Sequence, residues 1–180
     1  AARVWWTFRV MGAREVFVLD GGLPTWRAEG RPIETGPAHP IPTRFAASLD
    51  ASAVADVPTV IAALTGDAQV VDARPFARFR GEQPEPRSGL RPGHMPGAVN
   101  LPMKSVLDET GRLKRGPELE ASFVQAGVDP DRPIVTTCGS GVTAAVLTLA
   151  LAELGRDSRL YDGSWAEWGG RDDLPVEIGS

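Results

Sequence analysis

The only cysteine of this 180-residue chain, Cys138, lies in the sequence Cys-Gly-Ser-Gly-Val-Thr. Gly139 and Gly141 allow the backbone to curl until several N–H groups point at one spot. Such a group of amides stabilises an anion, which here could be a thiolate, a persulfide or a bound oxyanion. A thiol in this setting ionises more readily than a free one, so Cys138 is a candidate nucleophile. The alternative is a small buried hydrophobic side chain, the usual role of a free cysteine.

The residues on either side of the cysteine predict the elements that position it. The β-branched run at 134–137 is typical of a buried strand in a parallel sheet. Residues 142–154 are rich in alanine and leucine, which predicts a buried helix ending at Gly155. Cys138 is therefore expected in a tight strand-to-helix loop, at the positive end of the helix dipole.

Strands and helices alternate along much of the remaining sequence. Strands are predicted at 69–71, 97–101 and 158–161, and helices at 117–126 and from a cap at Asp50 or Ser52 to about Leu64. This alternation indicates an α/β fold, a parallel sheet with helices on both faces. Ligands bind at the carboxyl ends of such strands, so Asp72 and Cys138 are expected at the same edge.

A loop rich in arginine follows Asp72. It contains five arginines in an otherwise acidic chain, at Arg74, Arg78, Arg80, Arg87 and Arg91. Because arginine binds planar carboxylates through paired N–H groups, the loop suggests a small anionic substrate. The alternative is a solvated charged loop in which Glu82 and Glu85 pair with the arginines. His94, in a Pro-Gly-His-Met-Pro-Gly turn, is expected to form structural hydrogen bonds rather than to act as a catalytic base.

Composition excludes several classes of protein. A net charge of −4 argues against nucleic-acid binding, and no apolar run is long enough for a membrane span. One cysteine rules out an internal disulfide and argues against a cysteine-rich metal site. We therefore expect no metal and no cofactor, no membrane partner, and a location in the reducing cytoplasm.

Two short stretches near the amino terminus match stretches near the carboxyl terminus. Gly12 corresponds to Gly155 and Asp20 to Asp162, and both pairs follow a predicted helix or strand at about the same offset. The match predicts helices at 2–11 and 23–29, a strand at 16–19 and a tandem repeat. Residues 1–36 would then be the tail of a first domain, 37–44 a linker and 45–180 the catalytic domain. The alternative is an ordinary extension with a chance match.

The cysteine loop resembles the active-site loop of the tandem rhodanese-domain sulfurtransferases. Further stretches fit the same family, at 70–89, 93–102 and 161–168. The resemblance implies a rhodanese-like fold. Family members that prefer thiosulfate have basic residues directly after the cysteine, whereas this chain has Gly139 and Ser140. That difference favours 3-mercaptopyruvate as the sulfur donor, with thiosulfate as the alternative.

The resemblance also implies a role for each matching residue. Cys138 would take sulfur from the donor as a persulfide, with Ser140 in a proton relay beside it. Arg78 and Arg87 would bind the carboxylate and keto oxygens of the substrate. Backbone amides would surround the persulfide, at Gly139, Ser140, Gly141, Val142 and Thr143. A thiol such as thioredoxin, or cyanide, would then accept the sulfur.

In the family, the active site lies between two domains, and the first domain supplies the aspartate and histidine of the serine's relay. No residue of this chain is assigned to those two roles. We expect the chain alone to be weakly active or inactive unless another chain supplies the first domain. A cysteine phosphatase is disfavoured, because it needs an arginine six positions after the cysteine, where this chain has Ala144. A non-catalytic rhodanese-like module is the remaining alternative.

Overall fold

Five short strands form one parallel sheet in the computed structural model, which describes residues 1–179. They lie in the order β1-β5-β4-β2-β3 and comprise β1 (Val54–Ala55), β2 (Gln69–Asp72), β3 (Val99–Asn100), β4 (Ile134–Thr137) and β5 (Arg159–Tyr161). β2 and β4 pair along their whole length, with Asp72 opposite Thr137. All residues of these two central strands are buried. The predicted parallel sheet is confirmed, with its β-branched strand at the centre.

Helices cover both faces of this sheet, as predicted. Residues 1–179 contain α1 (Ala2–Val10), α2 (Gly22–Ala28), α3 (Val57–Thr65), α4 (Phe76–Phe79), α5 (Gly116–Gln125), α6 (Ala144–Glu153) and α7 (Ser164–Trp168). One hydrophobic cluster joins α1, α5 and α6 to the sheet, and a second joins α3 and α7 to it. None of the helices in this part of the chain combines the length and the apolar character needed to cross a bilayer.

The helix expected to begin at Asp50 or Ser52 begins later, so that prediction was wrong. Residues Ala51–Ala53 form a 3-10 turn, β1 follows, and only then does α3 start. Its cap is Asp56, whose Oδ1 accepts hydrogen bonds from the Thr59 backbone N–H at 3.0 Å and from its hydroxyl at 2.6 Å. Pro58 falls in the first turn of α3, where no helical N–H bond is lost.

The strand expected at 16–19 is absent from the described structure, so that prediction was also wrong. These residues have no regular structure, and the side chain of Phe17 is 88% exposed. A strand needs a neighbour to receive its backbone hydrogen bonds, and no strand of the sheet lies alongside this segment. Residues 29–50, which include the predicted linker, are exposed and lack helix or strand.

Candidate active site

Cys138 lies directly after β4, in the loop that leads to α6. The neighbouring strand ends beside it, since the Ala73 backbone N–H donates to the Thr137 carbonyl at 2.8 Å. The cysteine side chain is buried. The predicted strand–loop–helix, and its shared edge with Asp72, are therefore confirmed.

Hydrogen bonds to α7 set the direction of the cysteine loop. The carbonyls of Cys138 and Gly139 accept from the backbone N–H groups of Trp165 and Ala166, at 2.9 and 3.0 Å. In a trans peptide the N–H points opposite to the carbonyl, so the amides that follow these carbonyls face away from α7. The Ser140 N–H donates to the Cys138 sulfur at 3.5 Å. One amide of the predicted anion-stabilising group thus contacts the sulfur of the candidate nucleophile.

Ser164 supports the same loop, and the sequence analysis did not identify it. Its φ of 50° is unusual for a residue with a side chain. The hydroxyl donates to the Tyr161 carbonyl at 2.8 Å and accepts from the Cys138 N–H at 3.4 Å. The Asp-Gly-Ser turn at 162–164 marked the position, but its contact with Cys138 depends on the fold.

Tyr161, the last residue of β5, is buried close to this turn. Its hydroxyl donates to Glu167 Oε2 at 2.8 Å. Burial, followed by that hydrogen bond and the charge of Glu167, raises the pKa of Tyr161. The phenol therefore stays protonated at neutral pH and serves as a structural donor.

Gly141 is the position in the loop where α1 makes contact. Its φ is +72°, and a Cβ there would lie 2.5 Å from Arg3 Nη1 and 2.6 Å from Asp162 Oδ1. Arg3 forms an ion pair with Asp162, and its Nη1 also donates to the Gly141 carbonyl at 3.4 Å. Only glycine fits this position without displacing that pair.

A cavity of about 190 Å³ opens above the cysteine. Arg78, Glu85 and Arg87 lie in the arginine loop that forms one part of its wall. The predicted site residues of the cysteine loop also line it, namely Cys138, Gly139, Ser140, Val142 and Thr143. Of the predicted site, the structure thus brings together every residue except Gly141, which contacts α1 instead.

The other three arginines of the loop do not line this cavity. Arg74 is buried, binds Asp72, and its guanidinium lies 4.3 Å from the centre of the Trp165 ring. Arg91 donates to the backbone carbonyls of Trp168 and Gly169 at the end of α7, and Arg80 lies at the surface. The arginine loop therefore has mixed roles, partly structural and partly at the candidate site.

Arg78 is aimed at the cysteine loop by Glu85. Its Nε donates to Glu85 Oε1 at 3.3 Å, and its Nη2 forms an ion pair with Oε2. A Cβ on residue 139 would lie 2.9 Å from Arg78 Nη2, so Gly139 leaves the room that this guanidinium occupies. The sequence analysis considered Glu85 only as a partner in a solvated loop, whereas its side chain is 2% exposed.

His94 has the structural role that was predicted. Its Nδ1 lies 3.0 Å from the Phe79 carbonyl, and its ring stacks on Phe79 with the centroids 3.9 Å apart. The residue is buried and does not line the cavity above Cys138. It is not a candidate catalytic base.

A larger cleft, of about 810 Å³, lies at the opposite edge of the sheet. It is lined by residues at the amino ends of the strands, such as Ile134 and Arg159. Ligands of parallel sheets bind at the carboxyl ends of the strands, where the only thiol of the chain also lies. The smaller cavity is therefore the candidate active site.

Comparison with known proteins agrees with this geometry. The rhodanese-like domain model matches residues 57–171. The 3-mercaptopyruvate sulfurtransferase of Escherichia coli K12 is 48% identical over 179 residues, covering 98% of this chain and 63% of that protein. The thiosulfate sulfurtransferase of Rattus norvegicus is 43% identical over 171 residues, covering 93% and 58%.

A solved structure of the same family also resembles this chain. The crystal structure of SseA, a 3-mercaptopyruvate sulfotransferase from Escherichia coli, superposes with a TM-score of 0.80 and 43% identity, covering 91% of this chain and 62% of that one. The chain thus spans less than two thirds of the length of these relatives. The matched domain model covers more than half of the chain, and the chain therefore belongs to the family of rhodanese-like domains.

Proposed function

We propose that this chain is a sulfurtransferase domain that takes sulfur from 3-mercaptopyruvate through a persulfide on Cys138. The observation that carries the proposal is the placement of the only thiol beneath a cavity lined by Arg78 and Arg87, with the Ser140 amide on its sulfur. A thiolate nucleophile, an oriented amide and cationic side chains are the parts that such a reaction needs.

The reaction has two steps. The Cys138 thiolate attacks the donor's sulfur, the carbon–sulfur bond breaks, and its electron pair leaves as the enolate of pyruvate. The enolate carbon then takes up a proton, which gives pyruvate and a persulfide on the enzyme. In the second step, a thiol or cyanide attacks the outer sulfur and releases the Cys138 thiolate.

Each cavity residue has a role in this scheme. Arg78 and Arg87 bind the carboxylate and keto oxygens of the donor, which orients its sulfur towards Cys138. Glu85 occupies the Nε and Nη2 side of Arg78, so the N–H groups of Nη1 can serve the substrate. Ser140 belongs to the group that moves the proton, and the loop amides stabilise the charged persulfide.

The partners follow from the same scheme. We propose that the aspartate and histidine of the Ser140 relay come from a preceding domain, supplied by a longer form of this protein or by another chain. A thiol protein such as thioredoxin is the proposed sulfur acceptor. Because Cys138 must stay a free thiol, we also propose a reducing compartment such as the cytoplasm.

The test is the transfer of sulfur to Cys138. The chain is mixed with 3-mercaptopyruvate, pyruvate release is measured, and the protein mass is checked for one added sulfur atom. Cys138→Ser is the blank, and thiosulfate is assayed in parallel. A separately prepared amino-terminal half of a relative, such as the Escherichia coli enzyme, is added in a second series.

We expect one sulfur per chain and pyruvate release that depends on Cys138, with faster turnover when the amino-terminal half is present. No sulfur on Cys138 from either donor, even in the second series, would overturn the proposal. Turnover without the added half would show instead that this domain suffices.

Thiosulfate transfer is the second candidate, favoured by the 43% identity to the rat thiosulfate sulfurtransferase. A higher rate with thiosulfate than with 3-mercaptopyruvate would select it. A non-catalytic module is tested by alkylation. A nucleophilic Cys138 reacts with iodoacetamide in the folded chain, whereas an inert buried cysteine does so only after unfolding.

A further inference from the structure

Glu85 introduces a buried negative charge into a cavity that is otherwise suited to anions. Its carboxylate lines the cavity, and its side chain is 2% exposed. It accepts from Arg74 Nη1 at 2.9 Å and binds Arg78 through both oxygens. Burying a carboxylate is costly unless it is paired, and these two guanidinium groups supply the pairing.

The charges around the cavity nearly balance. Arg74 is buried against Asp72, with Nη2 2.7 Å from Oδ2, so these two charges offset each other. Glu85 likewise offsets most of the charge of Arg78. Arg87 is the remaining cation of the cavity wall. These five side chains therefore contribute about one net positive charge to the cavity, and the Cys138 thiolate adds one negative charge that is the same for either donor.

We infer that Glu85 is a specificity-determining residue that makes the cavity favour a donor with one negative charge over a donor with two. This inference rests on the proposed function. The carboxylate of 3-mercaptopyruvate carries one charge, whereas thiosulfate carries two. Glu85 repels the second charge of thiosulfate, and at the same time it positions the Arg78 guanidinium over Gly139.

Donor preference tests the inference directly. Glu85→Gln removes the charge but keeps the size and one side-chain oxygen that can accept a hydrogen bond, so the net charge of the cavity becomes more positive by one unit. The rate constants of persulfide formation are measured with thiosulfate and with 3-mercaptopyruvate. The rate constant for thiosulfate is divided by that for 3-mercaptopyruvate, and this ratio is compared between the variant and the unaltered chain. We expect the ratio to rise about tenfold, as for a unit charge change at a partly solvated site. The matched control is Glu82→Gln, an exposed residue of the same loop, which should leave the ratio unchanged.

A second measurement needs no turnover. Iodoacetate and iodoacetamide both alkylate the Cys138 thiolate with loss of iodide, but only iodoacetate is an anion. The rate with iodoacetate divided by the rate with iodoacetamide should rise about tenfold in Glu85→Gln, since the anionic reagent is attracted more strongly. If no donor transfers sulfur but this ratio rises, the proposed function fails while Glu85 still sets the charge preference of the cavity. If sulfur is transferred but neither ratio changes, the inference is overturned.

Glu85→Gln leaves two arginines facing a neutral amide and could fail to fold. Glu85→Asp keeps the charge and withdraws it from Arg78 by one methylene, so it should shift both ratios in the same direction by a smaller factor. A purely structural role predicts a lower melting temperature with equal losses for both donors and both reagents. Equal losses for both donors and both reagents, in Glu85→Asp or in a folded Glu85→Gln, would contradict the inference.

Discussion

At the scale of single residues, two glycines of the cysteine loop are needed for different reasons. Gly139 has an ordinary backbone conformation and leaves space for the end of the Arg78 side chain. Gly141 has a positive φ and is enclosed by Arg3 and Asp162. The first glycine serves the substrate cavity, and the second serves the folded loop.

We predict that Gly139→Ala lowers activity, whereas Gly141→Ala lowers stability. In Gly139→Ala the flexible Arg78 must move, so kcat/KM for 3-mercaptopyruvate should fall about tenfold while the melting temperature changes little. Gly141→Ala combines backbone strain with a clash and should cost about 1–3 kcal/mol of stability. Donor kinetics and urea unfolding of both variants check this, and equal stability losses would contradict it.

At the scale of elements, short helices do most of the positioning. The first turn of α7 receives two carbonyls of the cysteine loop, and Ser164 at its start binds the Cys138 amide. α3 packs against the sheet in the same hydrophobic cluster as α7, and its start is determined by the Asp56 cap. The site therefore depends on how helices begin as much as on the strands.

We predict a pH-dependent effect of removing the α3 cap. The hydroxyl and backbone N–H of Thr59 bind the Asp56 carboxylate and lower its pKa below the usual 3.8. Because the folded pKa is the lower one, this stabilisation is full above about pH 3.8 and is lost as the pH falls through the folded pKa. Asp56→Ala should therefore be clearly less stable than the unaltered chain at pH 7.

The stability difference between the two proteins should shrink below pH 3, as measured by urea midpoints at both pH values. Asp56→Asn is the control, since its amide oxygen can still accept from Thr59 and should retain most of the cap at pH 7. A stability difference between the unaltered chain and Asp56→Ala that grows on acidification would contradict the prediction.

At the scale of the whole molecule, α1 is part of the packed structure although it lies outside the matched domain region. Ala2, Trp6 and Val10 are buried in the same cluster as α6. Arg3 contacts the cysteine loop directly. The division of the chain at residue 36 and the tandem repeat stay predictions, because the contacts of α1 with this sheet do not depend on them.

We predict that the contact of α1 is essential for stability. Trp6→Ala removes a buried aromatic side chain and should cost about 3–5 kcal/mol. Phe17→Ala, an aromatic of the same amino-terminal segment that is 88% exposed, should change stability by less than about 0.5 kcal/mol. Urea unfolding measures both, and a Trp6→Ala loss no larger than that of Phe17→Ala would show that α1 is not part of the core.

The sequence by itself determined the central features of the fold and of the site. The β-branched run at 134–137, the glycine loop and the apolar helix after it are local patterns that span few residues. Their backbone preferences act within a turn or a strand, so the strand–loop–helix around Cys138 could be predicted. The predicted starts of α3 and of a strand at 16–19 failed, because propensity does not reveal which neighbours are present.

Only the tertiary structure decided which charges face the cysteine. The carbonyl of Gly141 accepts from Arg3, which lies 138 positions earlier in the chain. Glu85 binds Arg78 of α4. The uncharged Ser164, at the start of α7, accepts from the Cys138 amide. Whether a charged side chain is solvated or buried against a partner depends on how the elements pack. Because the composition of the loop is the same in both cases, the sequence alone could not distinguish them. The local structure around Cys138 was therefore predictable from nearby residues, whereas the charge balance that surrounds it is a property of the folded chain.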